Sequence, residues 1–143
     1  MKKTFKNKIY QIFGRRYVVR RRVIRVAGPK KILSHLSAKD FKENKKASYE
    51  LISERIRELN QSGEYPVGKV SIKNQKTRWG SCSGKRNLSF NYKIIFMPEN
   101  LRDYIIIHEL CHLKEMNHSK NFWNLVSQKV PDYKALRRQI KLY

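Results

Sequence analysis

Three of the four histidines in this 143-residue chain fall within eleven residues, as His108-Glu109-Leu110-Cys111-His112 followed by His118. On an α-helix, residues four apart stack one turn above another. His108 and His112 can therefore aim two imidazoles at one ion. Glu109 lies about 100° round the helix from His108, beside such an ion rather than on it, where a general base for a metal-bound water is needed. His118 is six residues past His112, which is wrong for the same face, so the chain must bend between them. Asn117 suits a bend because Asn tolerates the left-handed conformation at helix ends. Three imidazoles holding zinc leave one tetrahedral position open, the arrangement of catalytic rather than structural zinc. Water at such a position has a pKa near ~7. The plain alternative is that these histidines repeat by chance on a surface or in a core. Their concentration in one helical window favours a hydrolytic metal site.

The segments around this window have the patterns needed to hold it. Pro98 can open a helix, its missing N–H costing nothing there. From Pro98 to Met116 the pattern is apolar almost all round (Leu101, Tyr104, Ile105, Ile106, Ile107, Leu110, Cys111, Leu113), which predicts a central, buried helix that fixes both histidines against a low-dielectric wall. Ser119 can cap a short helix through Lys129, with Phe122, Trp123 and Val126 as its buried stripe, docking the segment that carries His118. Pro131-Asp132 ends it. Asp132 is placed to cap a last helix with Ala135, Leu136 and Ile140, and with Arg137, Arg138 and Lys141 near its C-terminus.

Upstream, Ser37 to Leu59 reads as a long helix with a capping box from Ser37 and Asp40 and an apolar stripe of Ala47, Leu51, Ile52, Ile56 and Leu59. Gln61-Ser62-Gly63 closes it and Pro66 prevents its continuation. Val67 to Phe96 reads as three antiparallel strands with tight turns, around Val70-Ser71-Ile72, Thr77 to Cys82 and Leu88 to Tyr92. In the last, Leu88 and Phe90 are expected in the core, and Ser89 and Asn91 toward the cleft or solvent. Asn91 and Tyr92 are candidates for a second oxyanion donor, while Arg78 and Trp79 read as a packed corner.

The N-terminal part reads as a β-hairpin: Ile9 to Phe13, a turn at Gly14-Arg15, then Arg16 to Val26, ended by Gly28-Pro29. Its second strand mixes Arg20, Arg21, Arg22 and Arg25 with apolar residues on both faces, so it is either a solvated edge strand or a ribbon that tracks a phosphate backbone. His35, just before the long helix, reads as a surface or capping residue. The expected organisation is one domain over 1–143, with a basic hairpin extension over 1–36 and the helix, sheet and catalytic core over 37–143.

Charge is the other strong signal. The chain carries 33 Lys and Arg against 11 Asp and Glu, for a net charge of +22. Residues 1–31 hold twelve of these cations, and the first acid is Asp40. Such a field attracts polyanions. The opening Lys2-Lys3 is followed by no apolar stretch, so export is not expected, and apolar runs such as Tyr104 to Ile107 are too short to span a membrane. Two cysteines, Cys82 and Cys111, make no disulfide framework, so a cytoplasmic location is expected. Cys111 points off the ligand face and reads as a buried thiol. Cys82 could approach the metal only through the fold.

With these residues in view, the chain resembles the YgjP-like metallopeptidase family. The resemblance rests on Lys76-Thr77-Arg78-Trp79-Gly80-Ser81-Cys82, Asn87-Leu88-Ser89-Phe90-Asn91-Tyr92, His108 to Leu113, Asn117-His118-Ser119 with Phe122-Trp123, and Pro131-Asp132-Tyr133. It is dense over the C-terminal half and loose over Ile9 to Leu59. It implies an α+β, zincin-like fold: a small antiparallel sheet packed on a central active-site helix, here with an N-terminal β-hairpin. It also implies zinc (Zn2+) at His108, His112 and His118, with Glu109 as the catalytic base, and a peptide or protein substrate. More distantly the chain is similar to SprT-like and WLM-type proteases that act on proteins crosslinked to DNA, an analogy that suits nucleic acid as a partner of the basic N-terminal hairpin. Glu115 stands where metzincins have Gly, so no metzincin turn is implied.

Two rival readings remain open. The same zinc chemistry on phosphorus would make a nucleotide pyrophosphatase, which the positive field suits. Alternatively, a nucleic-acid-binding module would carry the metal for structure alone. The sequence leaves the oligomeric state open.

Overall fold

The computed structural model describes residues 8–12, 15–19, 33 and 36–143. The N-terminal part is an antiparallel hairpin, β1 (Lys8–Ile12) with β2 (Arg15–Val19), in a register that sets Ile12 opposite Arg15 and Lys8 opposite Val19. The expected second strand continues to Val26. Its portion past Val19, with Arg20, Arg21, Arg22 and Arg25, lies outside the described residues, as does His35.

Helix α1 (Ala38–Leu59) begins as its sequence predicts. The Ser37 hydroxyl accepts from the Asp40 N–H, and the Asp40 carboxylate accepts from the Ser37 N–H at 2.8 Å, a complete capping box. Its buried face is Ser48, Leu51, Ile52 and Ile56. Ser48 was not in the expected stripe; its hydroxyl donates to the Asn44 carbonyl at 2.8 Å, so its burial leaves no orphaned group. The helix is closed by Asn60, whose N–H donates to the Ile56 carbonyl, and Gly63 follows in the next turn with φ 66°.

The sheet departs from expectation. Strands β3 (Val70–Lys73), β4 (Gly80–Cys82) and β5 (Leu88–Asn91) lie in the order β3-β5-β4, with β3 parallel and β4 antiparallel to β5. It is a mixed sheet, not three antiparallel strands. The reason lies in β5, all four residues of which are buried. A strand covered on both faces and paired on both edges takes the centre, which sends residues 74–79 across its end instead of round a hairpin. Ser89 and Asn91 are thus in the interior, not facing the cleft. Ser89 shares a hydrogen bond with Ser71 on the neighbouring strand at 2.8 Å. Thr77 to Trp79 is loop rather than strand, and Tyr92–Phe96 forms a 3-10 turn capped by the Asn91 side chain.

The turn from β4 to β5 places Arg86 at φ 61°, a left-handed position at a residue with a side chain. Helix α2 (Glu99–Cys111) follows Pro98, α3 (Lys120–Lys129) is capped by the Ser119 hydroxyl accepting from Phe122 N–H at 3.2 Å, and α4 (Tyr133–Ile140) follows Asp132. Asp132 holds the cap position, but its side chain accepts nothing; its carbonyl takes the Ala135 and Leu136 N–H groups instead. Helix α2 is central, packed against α1, α3, α4 and β4. Leu101, Ile105, Ile106 and Leu110 are almost wholly buried in a core shared with Leu88, Phe90 and Tyr92. The Arg55 fork donates to both carboxylate oxygens of Asp103, at 2.8 and 2.6 Å, tying α1 to α2. No helix among the described residues is long and apolar enough to cross a membrane.

Candidate active site

The histidine window sits at the exit of α2. The helix ends at Cys111, not at Met116, and the chain tightens at once: Leu113 N–H donates to the Leu110 carbonyl, and Lys114 N–H to that of Cys111. These tight bonds turn the chain so that His118 comes back over the last turn of α2. The bend does not use Asn117 in a left-handed conformation, since Arg86 is the one non-glycine with positive φ among the described residues. An ion-pair clamp holds it from outside. Glu64, in the loop after α1, accepts from Lys114 in the bend and from Lys129 at the end of α3.

Three imidazoles converge there. His108 Nε2 lies 3.3 Å from His112 Nε2 and 3.1 Å from His118 Nε2, and one ligand nitrogen from each ring falls within 4.8 Å of the other two. Two aromatic side chains of α3 brace the rings. Phe122 stacks on His112 (4.3 Å between centroids, 25°) and Trp123 on His118 (5.6 Å, 26°). His112 Nδ1 lies 3.0 Å from the Glu115 carbonyl. Such a partner can only accept, so Nδ1 carries the proton and the Nε2 lone pair points into the cluster. Burial, and after it the nearness of His112, His118 and Arg137, pushes His108 down to about 3; burial lowers His112 as well. A neutral imidazole with its Nε2 lone pair turned into the cluster, as at His112, is what a cation needs. Neither cysteine joins them: Cys111 is buried, and the Cys82 thiol turns to the Ser83 carbonyl.

Glu109 is 6% exposed, and its Oε2 is buried with no hydrogen-bond partner. Burial raises its carboxyl to about 7. A buried carboxylate without a partner is costly and calls for an explanation beyond folding. Its seat is made by Gly80 at the start of β4, where an added Cβ would stand 2.6 Å from Glu109 Oε1. Sequence reasoning named Glu109 but missed Gly80. The available signal was a glycine inside an extended Trp-Gly-Ser stretch, which marks a close approach by another group. The expected corner at Arg78 and Trp79 is built through backbone carbonyls: Asn91 Nδ2 donates to Gln75 and Arg78, and Asn91 N–H to Trp79. Both amide hydrogens of Asn91 are thereby used, and the Tyr92 hydroxyl donates to the Ser37 carbonyl. Neither candidate is left free to meet an oxyanion.

Helix α2 thus presents two imidazoles and a carboxylate, the following turn adds a third imidazole, and a short strand crosses the carboxylate. The chain belongs to the YgjP-like family, whose metallopeptidase-domain model matches residues 11–143. Two solved structures are similar: the metallopeptidase zymogen of Pyrococcus abyssi abylysin (28% identity, TM-score 0.55, 62% of this chain and 90% of that one) and that of Methanocaldococcus jannaschii jannalysin (27%, 0.54, 62% and 92%). No curated protein sequence matches significantly. The family and these neighbours support a metal-dependent peptidase with the expected α+β, zincin-like fold.

Proposed function

We propose that this protein is a zinc peptidase in which His108, His112 and His118 hold the metal and Glu109 is the general base. The observation that carries the reading is the pairing of three converging imidazole nitrogens with a buried, partnerless carboxylate beside them. Spacing is consistent with a small first-row cation such as zinc. Nitrogens held at about 2.0–2.1 Å in a tetrahedron stand about 3.3 Å apart, and the observed separations from His108 are 3.3 and 3.1 Å. The Nε2 lone pair of His112 points into the cluster, and one shared cation would satisfy it together with the facing nitrogens of His108 and His118.

Zinc, when bound, acidifies water and polarises a carbonyl oxygen. The Glu109 carboxylate, unengaged by any protein donor, takes the proton of the attacking water and passes it to the amine nitrogen of the departing half. Gly80 leaves the carboxylate room to do so. Strand β4 pairs with β5 along one edge, and its other edge has no strand partner among the described residues. An extended peptide can pair with that edge through its own backbone, beside Glu109.

The test is metal analysis of the purified chain together with its action on an unfolded protein and on nucleoside triphosphates. The reading expects zinc near one equivalent and cleavage of the protein. Hydrolysis of triphosphates with the protein left intact would move the chemistry to phosphorus. The net charge of +22 supports action near polyanions, nucleic acid among them. Binding to an oligonucleotide should then weaken steeply with salt, less so after Arg20, Arg21 and Arg22 are replaced.

A further inference from the structure

Charge is unevenly spread about the imidazole cluster. Of the eleven acids, five lie on α1, and Glu99 and Asp103 face Arg55 of that same helix. Glu109 and Glu115 lie within the histidine window, whereas α3 and α4 carry no acid of their own, Asp132 standing just before α4. There a pocket of about 430 Å³ is lined by Trp123, Tyr133, Lys134, Arg137, Arg138 and Lys141, with no acid among them. A second cavity of about 370 Å³ shares Lys141 and adds Lys76, Arg78 and Lys93.

Arg137 is the cation of this wall tied to the site. Its guanidinium carbon lies 4.8 Å from the centre of the Trp123 ring. That indole stacks on His118, and its centroid is 5.9 Å from that of His108. Arg137 is exposed and makes no ion pair among the described residues. The result is an un-neutralised guanidinium, steadied by an aromatic face, one ring away from two of the three imidazoles. Its planar fork matches a carboxylate.

We infer that Arg137, backed by Lys134, Arg138 and Lys141, receives a carboxylate of the peptide substrate near the bond to be cut, across the Trp123 ring from the imidazoles, so that acidic peptides are preferred. This rests on the peptidase reading above. The aromatics of the wall favour a peptide over a nucleic acid. Trp123 and Tyr133 already stack on each other (5.3 Å, 18°), forming a platform under the cations rather than an open slot for a base. The carboxylate can come from a Glu or Asp side chain or from a chain terminus.

The zinc-loaded full chain is offered matched peptides with Glu or Gln beside the cleavage site, each with a free or an amidated C-terminus. Binding of the same labelled peptides to Glu109→Gln is followed by fluorescence anisotropy, which needs no turnover. The expected result is a preference of about tenfold for the carboxylate-bearing peptides, carried in KM and in binding. The Glu/Gln pair and the free/amidated pair identify the source. Arg137→Ala should reduce the acidic-to-neutral ratio to about one, and Arg137→Lys should restore part of it. Selective binding without cleavage would defeat the peptidase reading while leaving the anion site standing. Equal affinity for Glu and Gln peptides together with equal affinity for free and amidated ends, or an equal loss on all peptides in Arg137→Ala, would overturn the proposal. So would an oligonucleotide that displaces the acidic peptide and itself depends on Arg137.

Discussion

Gly80 and Glu109 share a space that leaves no room for a side chain on the strand: a Cβ on Gly80 would meet Glu109 Cγ and Oε1 at 2.6 Å. Gly80→Ala must therefore displace either the carboxylate or β4. The expected cost in stability is about 1–3 kcal/mol. A displaced general base should lower kcat by roughly 10²-fold, with metal content unchanged. Unfolding curves, metal analysis and rates on one preparation check this, and a fully active alanine variant would mean that the carboxylate does not work from this seat.

Glu109→Gln keeps the shape and removes the proposed base. The variant should bind metal as the parent does and lose turnover by about 10²–10⁴-fold. Parallel metal stoichiometry and peptide hydrolysis decide it. A structural metal predicts no change in any rate.

Ser119 caps α3 immediately after His118, so the cap and the third imidazole stand or fall together. Ser119→Ala should cost about 1 kcal/mol of stability and weaken metal binding, though less than His118→Ala. Chelation should lower the melting temperature of the parent protein, because an ion bound to the folded state stabilises it by mass action. Both variants should show a smaller shift on chelation.

Glu64 carries the one pH dependence that is simple to read. Hydrogen bonds from Lys114 and then Lys129 hold its carboxyl below the ordinary value of 4.5. A carboxyl depressed in the folded state contributes stability that is full above its unfolded pKa and is lost as pH falls through the folded one. Glu64→Gln should melt below the parent at neutral pH, and the two curves should converge below about pH 4.5. The gap should narrow with added salt, since the group is exposed. A constant gap would assign the difference to packing.

What could be read from the chain in advance was whatever is written within one helical turn. The i, i+4 imidazoles, the Ser37–Asp40 box, the Ser119 cap and the burial of α2 all depend on neighbours three or four residues apart, and all stand in the structure. Strand order could not be read, because pairing of Val70 with Leu88 in parallel is decided by which strand the core covers on both faces. Asn91 shows the cost of reading alternation alone: it faces inward to hold the Gln75 and Arg78 carbonyls. The bend before His118 was legible as a necessity but not in its means, which are tight backbone bonds and a clamp from a glutamate some fifty residues upstream.

The three imidazoles differ in how firmly they are held, and exchange kinetics should register the difference. His108 and His112 ride on a buried helix, while His118 is exposed on a turn fastened at its edges by Glu64 and Ser119. If the three rings share an ion, the outer ring is expected to be released first, so that the ion's residence time follows the stability of that turn. Slackening the turn would shorten the lifetime of the loaded protein without altering where the ion rests.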